Sequence, residues 1–74
     1  MLKNLFKSIK AGRAARINEE AIRFWRCGDM AGAERLFRKA IETNPSFAPS
    51  YSNLGMVLWQ QRNFDEGMEL LTKA

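Results

Sequence analysis

The sequence predicts an all-α fold of antiparallel helix pairs, and three observations predict it. Apolar residues recur at helical spacing along most of the chain, strand-like alternation is absent, and the pattern of residues 17–40 returns 34 positions later. Trp25 matches Trp59, and the same offset joins Ile17 to Tyr51, Ala21 to Gly55, Phe24 to Leu58 and Ala33 to Gly67. It also joins Leu36 to Leu70, Phe37 to Leu71, Lys39 to Lys73 and Ala40 to Ala74, so size class is kept at nearly every apolar slot.

The elements follow in chain order. Residues 1–12 form a basic amphipathic helix, with Leu2, Leu5, Phe6 and Ile9 on one face and Lys3, Lys7 and Lys10 beside it. Gly12 predicts a break before the repeats. The next helix, about 14–27, carries Ile17, Ala21, Phe24 and Cys27 at helical spacing. Gly28 and Asp29 end it, and the Asp29 carboxylate suits a helix start. A helix over 30–43 then presents Ala33, Leu36, Phe37, Ala40 and Ile41. The stretch from Asn44 and Pro45 to Pro49 is a turn, and Pro49 suits a first helical turn. A helix over 48–61 repeats the first pattern through Tyr51, Leu54, Leu58 and Gln61. Arg62 and Asn63 break the chain, and a helix over 64–74 carries Phe64, Gly67, Met68 and Leu71. The division is therefore an arm at 1–12, a first repeat at 13–47, and a second, incomplete repeat at 48–74.

Composition narrows the function. The 74 residues allow one small domain. The chain has one cysteine and no histidine, so it has no internal disulfide, and His-based triads and His-ligated metals are excluded. Cys27 lacks an activating partner and is expected as a small buried hydrophobe near a helix end. Glycines are scattered rather than gathered in a phosphate loop. Asp65, Glu66 and Glu69 are most simply a favourable helix start. No catalysis and no cofactor is expected.

The net charge of +4 is unevenly placed: Lys3, Lys7, Lys10, Arg13 and Arg16 stand in an acid-free stretch, and the remainder is near neutral. A nucleic-acid partner would want a basic body as well, so it is not expected. No apolar run is long enough to cross a bilayer. The expected address is the cytoplasm or the cytoplasmic face of a membrane.

The chain resembles the tetratricopeptide repeat family, whose period is about 34 residues and whose pattern runs W-x2-L-G-x2-Y, A-x3-F, P. Here the second copy has Tyr51-x2-Leu54-Gly55-x2-Leu58 and Gly67-x3-Leu71. The first has Ile17-x2-Glu20-Ala21-x2-Phe24, then Ala33-x3-Phe37, Ala40 and Pro45. The resemblance covers residues 14 to 74, about one and three-quarter repeats of an α-α solenoid. It implies that Ala21, Gly55, Ala33 and Gly67 let the helices of a pair approach, with Phe24, Phe37, Leu58 and Leu71 filling between them. Glu20 departs from the family's leucine; it is expected to face solvent or to pair with Arg16 or Arg23.

The resemblance further implies a protein-binding scaffold, adaptor or small assembly subunit whose first helices line a concave face. That lining would be Ala15, Asn18, Ile22, Trp25 and Arg26, then Pro49, Ser52, Asn53, Met56, Trp59 and Gln60. Spacing independently puts Ile22 with Trp25, and Met56 with Trp59, on shared helix faces. Two tryptophans there would be hot-spot chemistry for a peptide or helix, or else ordinary core. Only Asn53 matches the family's carboxylate clamp, so no clamp is expected.

Solenoids need about three repeats and polar caps, and the last helix ends apolar. A fragment of a longer protein, self-association through the uncapped C-terminal helix, and a subunit docked on a larger partner all account for this. The arm has three readings: a cap on the body or a partner, a weak contact with an anionic membrane, or an organelle transit peptide. A membrane-surface factor held by Leu2, Lys3, Leu5, Phe6, Lys7, Ile9 and Lys10 is the alternative function.

Overall fold

The computed structural model describes residues 2–73, with the side chains of residues 2, 3, 4 and 7 excepted. The expectations for the side chains of Leu2, Lys3 and Lys7, and the pairing of Ala40 with Ala74, lie outside the described residues. Four helices follow in order: α1 (Leu2–Arg26), α2 (Met30–Thr43), α3 (Ala48–Gln60) and α4 (Phe64–Lys73), with no strand among the described residues. The predicted all-α fold is observed, and three of the four predicted repeat-helix starts agree with it to the residue. The helices pack in sequence, α1 on α2, α2 on α3 and α3 on α4, with a light touch between α1 and α3.

One expected boundary is absent. α1 runs through Gly12 without a break, so the arm and the first repeat helix are one 25-residue helix. An isolated helical glycine costs only about 1 kcal/mol relative to alanine. Lys10, Ala11, Arg13, Ala14 and Ala15 around it are good helix formers, and nothing approaches within 4 Å of where its Cβ would stand. No contact demands a bend there.

The helix ends repeat as the apolar slots do. At the end of α1 the Asp29 N–H donates to the Phe24 carbonyl at 2.9 Å and the Gly28 N–H to that of Trp25 at 2.9 Å. At the end of α3 the Asn63 N–H donates to Leu58 at 2.8 Å and the Arg62 N–H to Trp59 at 3.0 Å. Both are the paired closing bonds of a left-handed helix stop. Gly28 has φ 85° and Arg62, 34 positions on, has φ 68°. Asp29 caps α2 as expected, accepting from the Gly32 N–H at 2.9 Å, and Pro49 sits in the first turn of α3.

The core is small: Ala21, Ala33, Phe37, Leu54, Val57 and Leu58 are buried together, with Phe24, Trp25, Leu36 and Leu70 packed around them. The alanine and glycine slots act as the resemblance implied. A Cβ on Gly55 would stand 2.8 Å from Leu71 Cγ and 3.0 Å from the Gly67 carbonyl oxygen, so α3 and α4 meet backbone to backbone. Cys27 corrects the expectation of burial. It is exposed, because it follows the last residue of α1 and enters the turn rather than the packed stripe. Glu20 faces solvent.

The second pair is also tied to the first by charge. The Arg38 guanidinium of α2 donates from two nitrogens to the Glu66 carboxylate of α4, at 2.9 and 3.0 Å, and from Nε to Glu34 at 3.1 Å. This fork holds the Glu66 carboxyl below its ordinary range and raises Arg38 above its own. The pair is partly exposed, so solvent screening limits its worth to about 1 kcal/mol or less.

Candidate functional site

The face implied for partner binding is built by α1 and α3, which lie side by side as the matching first helices of the two pairs. Three contacts join them. Asn18 Oδ1 accepts from Ser50 Oγ at 3.3 Å and from Asn53 Nδ2 at 3.2 Å. Trp25 Nε1 donates to Gln60 Oε1 at 2.6 Å. Each contact spans 32 to 35 positions in sequence, so the face exists only while the two pairs are stacked.

The expected residues divide on this face. Asn18 is buried and cannot meet a partner; its carboxamide links α1 to α3 instead. This corrects its expected place on the partner face: Ala14, Asn18 and Ala21 follow the i, i+4, i+7 spacing of one buried stripe. Ser50, buried against it, was missed; it lies on the stripe that continues through Leu54 and Val57. Asn53 is half-buried and spends its Nδ2 on Asn18. Ala15 and Ser52 are partly buried, and Pro49 is exposed.

Ile22, Trp25, Arg26 and Asn53 line an open hollow of about 330 Å³ between α1 and α3. Arg26 is exposed at its rim. A second hollow, of about 360 Å³, lies on the α3 side and is lined by Met56, Trp59, Gln60, Met68 and Leu71. Gln60, which accepts the Trp25 hydrogen bond, stands between the two.

The tryptophans occupy matching slots but not matching environments. Trp25 packs edge-on against Phe37, with ring centroids 6.1 Å apart, and its side chain is partly buried against the core. Trp59 packs edge-on against Phe64 at 4.7 Å and remains 45% exposed. The difference comes from what lies over each pair. Phe37 is fully buried in the cluster with Leu54, Val57 and Leu58 of α3, whereas Leu71, its counterpart, is 38% exposed. Met56 is likewise open, at 48%.

No group of three or more metal-ligating side chains is found among the described residues, and no described helix is long and apolar enough to cross a membrane. The geometry is that of a stacked helix-pair repeat, with the first helices of the two pairs side by side. Residues 48–74, the second helix pair, match the family model described as Tetratricopeptide repeat, which supports a tetratricopeptide repeat assignment for that pair. No curated protein matches the chain, and no solved structure matches it. Tetratricopeptide repeats are in general a non-enzymatic fold for protein–protein interaction.

Proposed function

We propose that the chain is a small protein-interaction module, an adaptor or complex subunit that receives an apolar helix or peptide of another protein on the first-helix face. The observation that supports this reading is the pair of neighbouring hollows on this face, one lined by Ile22 and Trp25 and edged by the Arg26 cation, the other by the exposed Met56 and Trp59, with Gln60 between them. Exposed tryptophan and methionine beside a preformed hollow offer large contact area at small ordering cost. Arg26 at the rim selects a carboxylate on the ligand and sets its direction along the groove.

A helical-peptide library selected against the purified chain tests this. Selected peptides should carry apolar residues at i, i+3 and i+4 with an acid nearby. Trp59→Ala and Arg26→Glu should each weaken binding about tenfold or more, equivalent to at least ~1.4 kcal/mol, with helical circular dichroism unchanged. Trp59 and Arg26 are the informative positions because Trp25 also supports Phe37. Peptides that bind the variants as well as the parent would reject this face.

A further inference from the structure

The α3–α4 hollow lies beside the first-helix face and has its own features. In the first pair the matching residues Ile22, Trp25 and Arg26 line a hollow that α3 borders with Asn53, and α3 also lays Leu54, Val57 and Leu58 over the core, so that Phe37 is sealed. In the second pair the counterpart Leu71 stays open, and Met68 and Trp59 are exposed with it around a hollow of about 360 Å³. The internal repeat therefore states what fits there: a helix with apolar residues three and four positions apart.

The molecule itself carries such a helix. The first turns of α1 reach past the body, since Lys10 and Ala11 still lie beside Asn44 and Ser46 of the α2–α3 turn while Leu5, Phe6 and Ile9 are all exposed. Ile9 stands three positions from Phe6 and four from Leu5. Those are the intervals that separate Leu54 from Val57 and Leu58, in the opposite chain direction. Charge agrees as well. The stretch of residues 1–16 holds five cations and no acid, and Lys10 and Arg13 are exposed on it. On α4, Asp65 and Glu69 are exposed at i−3 and i+1 from Met68, while Glu66 is already held by Arg38. A basic apolar helix thus faces the description of an apolar hollow with an acidic border.

We propose that a second copy of this chain docks its N-terminal helix, through Leu5, Phe6 and Ile9, into the hollow formed by Trp59, Met68 and Leu71. Lys10 and Arg13 of one copy meet Asp65 and Glu69 of the other. This contact shares Trp59 with the partner face but none of Ile22, Trp25 and Arg26, so Arg26→Glu tests the partner face alone and reversal of the arm and border charges tests this contact alone.

Sedimentation of the full chain over a concentration series tests the contact. Self-association should appear and should weaken as salt is raised, since exposed charge pairs are screened. Lys10→Glu with Arg13→Glu should weaken it at least tenfold, and so should Asp65→Lys with Glu69→Lys in a separate chain. Mixing the two charge-reversed chains should restore a complex, because each acidic arm then meets a basic border and each basic arm an acidic one. All four sites are exposed, and unchanged circular dichroism verifies that the variants fold. A parent chain that stays monomeric at every concentration overturns the proposal, as does association indifferent to the reversals or not restored by mixing. A monomer whose arm binds vesicles containing phosphatidylserine would assign the arm to a lipid surface and overturn it too.

Discussion

Arg62 holds a backbone conformation that an L-residue adopts only at a cost. Its φ of 68° closes α3 in the way that Gly28, at 85°, closes α1. The left-handed region costs a non-glycine residue about 1–2 kcal/mol, and glycine gives part of that back through the larger freedom of its unfolded chain. Arg62→Gly should therefore raise stability by about 0.5–1 kcal/mol, read as a higher denaturation midpoint; a lower midpoint would contradict the left-handed stop. The turn at Arg62 and Asn63 was legible as a break in the apolar pattern, but the conformation was not. It emerged from the matching hydrogen bonds at the two helix ends, and nothing about an arginine announces it. Cys27 and Asn18 show the same limit from opposite sides. Cys27 was expected on the buried stripe and Asn18 on the partner face, yet Cys27 lies one residue past the helix and faces solvent, while Asn18 is buried, with Ser50 and Asn53 satisfying its oxygen.

Elements are held together here by what their contact faces lack. Gly55 and Gly67 let α3 and α4 touch through backbone, and an added methyl at Gly55 meets both Leu71 and the Gly67 carbonyl. Overpacking of that kind costs about 1–3 kcal/mol, more than the ~1 kcal/mol that alanine gains over glycine in a helix. At Gly12 only the gain remains, because no atom lies near. Gly55→Ala should lower the thermal midpoint and Gly12→Ala should raise it, the second with an increase in helical circular dichroism. Equal effects at the two sites would mean that α3 and α4 do not approach as described. The close approach was legible in the small slots of the repeat, since only an alanine or glycine at the same place in each copy keeps the pairs alike. The unbroken α1 was not legible, because sequence marks Gly12 as a weak point without saying whether anything pulls the helix apart there.

At the scale of the whole molecule, the repeat explains both what is sealed and what is open. A core of this size supplies only about 3–5 kcal/mol, and stacking α2 against α3 is what places Phe37 in it. The same stacking brings α1 beside α3 and so creates the first-helix face; neither pair presents it alone. The sequence carried this architecture through its 34-residue period, but the period treats the two tryptophans as equals. The fold makes them unequal, because a second pair lies over the first and none of the described residues lies over the second. Trp25 became an anchor between pairs, and Trp59 became surface.

Nuclear Overhauser measurement on the isotope-labelled chain tests this stacking most directly. Cross-peaks are expected between the Trp25 indole N–H and the Gln60 side chain, between the Trp25 and Phe37 rings, and between the Asn18 and Asn53 carboxamides, with the Trp59 indole N–H exchanging faster than that of Trp25. A helical chain in which the contacts between α1 and α3 are missing, or in which both indoles exchange alike, would contradict the stacking.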